Sequence, residues 1–168
     1  IEDRLFATVD TLAREVDVGE GYRFRVTDTV GFIRKLPHHL VASFRATIEE
    51  AQEADLILHV IDASDQRWEE QVEVVENELR AAWGVRRSNG AVERKPTIYV
   101  FNKADVLADP DPFLALIRER YPHASLTSAA PHAARSTLGV EDLRHALRTS
   151  AQALRPIAEI RVPLANGK

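Results

Sequence analysis

Apolar and polar residues alternate in two short stretches near the start of the chain, LAREVDV at 12–18 and YRFRVTD at 22–28. Alternation at period two marks strands. The Gly19-Glu20-Gly21 between them supplies residues that accept a positive φ, which predicts a β-hairpin. The period then changes to that of a helix, with Leu40, Phe44, Ile48 and Ala51 on one side of a segment over 40–53. DLILHVID at 55–62 is nearly continuous in apolar residues, as expected of a parallel strand covered on both faces. A second helix follows with Val72, Val75, Leu79 and Ala82 on one side, and Trp68 and Trp83 at its two ends read as packing residues. PTIYVFN at 96–102 is another buried strand, 113–120 a short helix after two prolines, and ASLTS at 124–128 a short strand. Leu143, Leu147, Ala151 and Leu154 mark a last helix. Strands alternating with helices predict an α/β fold, a doubly wound and mostly parallel sheet. GVRRSNGAVERK at 84–95 breaks both periods and reads as a surface loop.

With 168 residues, 45% of them apolar and 29% charged, the chain has the size and composition of one soluble domain. The longest apolar runs, LILHVI and TIYVF, are too short to span a bilayer, and IEDRLFATVD lacks the pattern of a secretory signal. A cytoplasmic protein without a membrane span is expected. The absence of cysteine excludes disulfides and thiolate metal sites. A formal net charge of -4 gives no general attraction to nucleic acid, so any such contact must be local. The sequence holds no methionine and begins at Ile1, so it is expected to be a piece of a longer reading frame.

In doubly wound sheets ligands bind outside the carboxyl ends of the strands. Four polar motifs fall there in order: TDTVG at 27–31, DAS at 62–64, FNKAD at 101–105 and TSAA at 127–130. An aspartate at such an end, Asp28, can hold a hydrated Mg²⁺ through a water, because Mg²⁺ keeps several waters and takes few protein carboxylates. Gly31 can bring its backbone N–H against a terminal phosphate with no side chain in the way. Asp105, in the run Asn102-Lys103-Ala104-Asp105, offers a carboxylate able to accept two parallel hydrogen bonds from N1–H and the 2-amino group of guanine, a donor pair that adenine lacks. The Lys103 stem can cover a purine face. Ser128-Ala129 can offer a backbone N–H to the guanine carbonyl. Alone, a D-x-x-G at a strand end is usually a turn; four motifs at successive strand ends carry more weight together. His38-His39 point apart on regular structure and have no third ligand nearby, so they read as solvated or interface residues. Arg34-Lys35 reads as a solvated turn.

At these residues the chain resembles the translational GTPases of the HflX type. RLFATVD at 4–10 is similar to the switch I of that family, and DTVGFIRKLPHHL at 28–40 to its switch II. NKAD at 102–105 resembles its guanine-specificity motif, and SA at 128–129 its last GTPase motif. The resemblance implies a Ras-like P-loop G domain over 1–155 and the start of a C-terminal extension at 156–168. It also implies GTP and GDP binding with Mg²⁺, GTP hydrolysis, a monomer, and association with the large ribosomal subunit in splitting or rescue of stalled ribosomes. By the same match Thr8 binds Mg²⁺ through its hydroxyl beside Asp28. Phe32 stands where many GTPases place a water-orienting glutamine; a phenyl ring cannot hydrogen-bond water, so catalysis falls to another group or to the ribosome.

No G-x-x-x-x-G-K-[ST] occurs in the sequence. The resemblance therefore implies a domain truncated at its N-terminus, without the P-loop, the first strand and the first helix. That strand lies between the one ending at Asp28 and the one ending at Asp62, so an empty or closed central position is expected in the sheet. The alternative from another class is a GTPase-derived binding module without catalysis.

Overall fold

The computed structural model describes residues 12–29, 48–82, 87–88, 91–92, 95–129 and 138–154. The hairpin is formed by β1 (Leu12–Gly19) and β2 (Tyr22–Asp28), paired antiparallel. Gly19, Glu20 and Gly21 all take positive φ, at 90°, 54° and 79°. A turn of this hand matches the twist of the strands it joins, which is why two glycines flank it. Most of β1 is exposed, and only Val18 on it is buried. Its alternation therefore does not mark a fully packed face.

Three parallel strands form the second sheet in the order β3 (Ile57–Asp62), β6 (Thr97–Asn102) and β7 (Ser125–Leu126). β7 is two residues long, shorter than the 124–128 expected: Thr127 N still donates to Phe101 O of β6, but its carbonyl accepts from Ala104 N, and Ser128 turns to Leu138 O and Asp105. Helix α1 (Trp68–Ala82) follows β3. Helix α2 (Pro110–Arg120) begins three residues before the expected start. Pro110 and Pro112 are the physical reason: first-turn N–H groups have no intrahelical acceptor, so proline costs nothing there, and Asp109 caps the turn by accepting from Asp111 N. The last helix, α3, runs Val140–Leu154. Residues 48–53 are helical, while Leu40 and Phe44 of the same expected helix, and Trp83, lie outside the described residues.

The expected surface loop at 84–95 needs correction. β4 (Arg87–Ser88) pairs antiparallel with β5 (Ala91–Val92). The two residues between the paired ends are Asn89-Gly90, the strongest short hairpin signal a sequence carries.

The core has two parts, one on each face of the parallel sheet. On one face Ile61, Trp68, Val72, Phe101, Ile117 and Leu126 pack together, with the Trp68 ring edge-on to Phe101 at 5.1 Å and to Phe113 at 5.8 Å. Trp68 is the packing residue the sequence predicted. On the other face Val18, Ile98, Val100 and Leu147 join Phe24, Leu58 and Leu143. This second cluster, not a strand pairing, ties the hairpin to the sheet. Arg148 on α3 reinforces it by donating to the Val18 carbonyl at 2.6 Å and pairing with Glu20 at 3.6 Å.

Among the described residues no strand pairs with both β2 and β3. Between them lies a groove of about 1500 Å³ whose walls include Phe24, Val26 and Leu58, with Val75 and Leu79 of α1 and Leu147 and Ala151 of α3. Among the described residues β2 and β3 do not pair with each other.

Candidate functional site

In-phase register brings the motifs to one edge. β3 and β6 run level from Ile57↔Thr97 to Asp62↔Asn102, so the DAS and NKAD motifs leave their strands side by side. Phe101 pairs with Leu126, which sets Thr127 and Ser128 beside Asn102 and its successors.

Past this edge the loops are cross-bonded. Ala63 N donates to Asn102 O at 2.9 Å, Ala104 N to Thr127 O at 3.0 Å, and Thr127 N to Phe101 O at 2.7 Å. The Thr127 hydroxyl donates to Asn102 Oδ1 at 3.2 Å, so Asn102 braces one loop on the other. Lys103 adopts φ 69° and ψ 34°, a left-handed conformation rare outside glycine, and a 3₁₀ turn over Ala104–Val106 follows. This turn presents Asp105, which accepts from the Ser128 hydroxyl at 2.7 Å. A carboxylate has roughly four acceptor directions. One bond from Ser128 therefore orients Asp105 and leaves it able to accept two more.

Ser128 is fully buried, and its N–H donates to Leu138 O at 3.1 Å. Of the pair Ser128-Ala129 expected to offer a backbone N–H, the Ser128 N–H is thus engaged by Leu138, while its hydroxyl donates to Asp105. Ala129 beside it is exposed. A residue the sequence reading missed holds this loop in place: Gly139, at φ 69°, sits so close to the Leu126 carbonyl that a Cβ would lie 1.9 Å from its oxygen. Its signal in the sequence was a glycine just before a helical period.

The charges at the edge are also fixed. Asp62 Oδ1 accepts from Ser64 N at 3.0 Å and from the Ser64 hydroxyl at 2.6 Å, while Oδ2 accepts from Lys103 Nζ at 2.6 Å. Partial burial of Asp62 works against its charge, but the bonds from Lys103 and Ser64 outweigh it and hold the carboxyl below its ordinary range. The same bond, with the attraction of Asp62, raises Lys103.

Asp28 stands exposed at the end of β2 and, like Asp62, lines the groove. Thr8, Gly31 and Phe32 lie outside the described residues, as do Arg34-Lys35 and His38-His39. Among the described residues no group of three or more histidines, cysteines or carboxylates could hold a metal ion. Asp28, an exposed carboxylate at a strand end, fits Mg²⁺ carried mainly by water and phosphate oxygens, not by a protein cage. No helix among these residues is long and apolar enough to cross a membrane.

The family described as 50S ribosome-binding GTPase matches residues 1–103. The GTPase HflX of Magnetococcus marinus is 48% identical over 106 residues, 63% of this chain and 23% of that protein. That of Gluconacetobacter diazotrophicus is 48% identical over 129 residues, 77% of this chain and 26% of that protein, and that of Escherichia coli 42% identical over 127 residues, 76% and 28%. The chain thus spans about a quarter of the length of the curated relatives it matches. Among solved structures, SsGBP in complex with GDP superposes with a TM-score of 0.59 at 25% identity, covering 84% of this chain and 42% of that one. Era in complex with MgGDPNP and nucleotides 1506–1542 of 16S ribosomal RNA gives 0.58 at 21% identity, covering 93% and 48%, a likeness of fold. The parallel strand order, the motifs at its carboxyl edge and these matches agree: the fold is that of a Ras-like GTPase, and the chain belongs to the 50S ribosome-binding GTPase family as a member of the HflX type.

Proposed function

We propose that this chain carries the guanine-recognition half of a GTP-hydrolysing G domain that works on the large ribosomal subunit. The observation that carries the reading is the bond from buried Ser128 to Asp105, which aims a carboxylate with spare acceptor directions out of the strand edge. In this reading Asp105 accepts from N1–H and the 2-amino group of guanine, the Lys103 stem covers the face of the base, and Ala129 N–H donates to the guanine carbonyl. Asn102 braces the two loops. Thr8 and Asp28 hold Mg²⁺, and Gly31 meets the γ-phosphate; bound Mg²⁺ would neutralise charge developing on the phosphates. Phe32 offers no hydrogen bond to an attacking water. Switch segments ordered by the γ-phosphate and released on hydrolysis would couple the nucleotide to ribosome binding. A cytoplasmic monomer fits these roles.

The bracing bonds among Asn102, Thr127, Ser128 and Asp105 favour this reading over a binding module that has lost its nucleotide. Displacement of a fluorescent GDP from the full-length protein tests it. GTP and GDP should displace the probe and ATP should not; equal displacement by ATP overturns the reading.

A further inference from the structure

The Asp62–Lys103 pair joins two strand ends and is not needed to hold them together, since the β3–β6 ladder and the Ala63 N to Asn102 O bond already do so. What it fixes is a side chain. A lysine has four rotatable bonds and correspondingly large rotamer freedom, and Lys103 is about half exposed. Its backbone is pinned in the left-handed region by the 3₁₀ turn, and its ammonium is pinned by Asp62. With both ends held, the aliphatic stem bridges the end of β6 and the end of β3. Asp62 can serve as a fixed anchor because Ser64 secures its other oxygen through two hydrogen bonds.

The geometry points to Asp62 as a positioning residue for nucleotide binding: it holds the Lys103 ammonium at the strand edge, so that the stem lies ready as a platform for the face of the base. This deepens the guanine-nucleotide reading and rests on it. Asp62 itself touches no part of the nucleotide and acts through Lys103. Freezing the lysine before the base arrives removes part of the ordering cost that binding would otherwise carry.

The test is a double-mutant cycle on the GDP dissociation constant of the full-length protein, with Asp62→Asn, Lys103→Ala and the double variant. Asparagine keeps a carbonyl oxygen for the Ser64 turn and removes the charge that holds Lys103. Asp62→Asn should weaken GDP binding about fivefold, the upper end for a partly exposed ion pair, and should add nothing in the Lys103→Ala background. Asp62→Ser, which also keeps an acceptor, should give the same cycle. Additive losses would mean that Asp62 acts through the loop rather than through Lys103, and would overturn the proposal. Unchanged or tighter binding in Asp62→Asn would overturn it too, tighter binding showing that the pair keeps Lys103 away from the base. A parent that fails to prefer GDP over ADP sinks the nucleotide reading itself, an outcome visible before any variant is made.

Discussion

His59 gives a pH dependence whose size can be worked out. It lies in the middle of β3, 9% exposed, with its ring 5.6 Å from that of Tyr99. Burial lowers its pKa from 6.5 to about 4, with Glu76 opposing the shift. The unfolded chain therefore takes up the proton first as pH falls. Stability from this group is complete above the unfolded pKa and is lost progressively as pH drops toward the folded one. Going from about pH 7 to about pH 5, the unfolded imidazole becomes almost wholly protonated and the folded one stays mostly neutral, which removes about 2 kcal/mol. Urea unfolding of the parent and of His59→Leu at both pH values isolates the effect, because the two proteins differ at no other ionisable residue. The variant differs from the parent in absolute stability through packing, so the readout is the change with pH. The parent should lose about 2 kcal/mol more than His59→Leu over that interval. Parallel losses would refute the reasoning. Asp62 enters only at lower pH, since its folded carboxyl is held down and its contribution is lost as pH falls through that value.

Two further predictions follow from loop geometry and sequence. Gly139→Ala meets the Leu126 carbonyl and a left-handed φ together, so it should cost about 2 to 4 kcal/mol in chemical unfolding; a loss under about 1 kcal/mol would show that the loop relaxes freely. The 168-residue chain on its own contains no G-x-x-x-x-G-K-[ST], and without several charge-assisted phosphate contacts of about 1.5 to 3 kcal/mol each its GTP binding should be weak. Calorimetry giving submicromolar affinity for it would contradict that.

What the sequence made legible were features with a local cause. The Gly19-Glu20-Gly21 turn and the buried strands were predicted, because positive φ and two-sided burial leave marks on neighbouring residues; the missing pairing between β2 and β3 was expected from the family resemblance alone. The β4–β5 hairpin was equally local, and the break in period at 84–95 concealed its Asn-Gly signal. The bonds that give the candidate site its shape were not legible. Lys103 reaches Asp62 across 41 positions, and Ser128 reaches Asp105 across 23. Nothing in a linear pattern says that the Ser128 N–H is already used by Leu138. Such pairings are set by register between strands, which alternation alone does not fix.

The central claim is that Asp105 reads the base. It is tested most directly by competing GDP and xanthosine diphosphate for the full-length protein and its Asp105→Asn variant. The amide keeps one acceptor and replaces the other with a donor, which matches the carbonyl that xanthine carries in place of the 2-amino group. The account predicts that the parent prefers GDP and that the variant binds GDP more weakly and turns toward the xanthine nucleotide. Equal GDP affinity in parent and variant, with no gain for xanthosine diphosphate, would remove Asp105 from the base site and contradict the account.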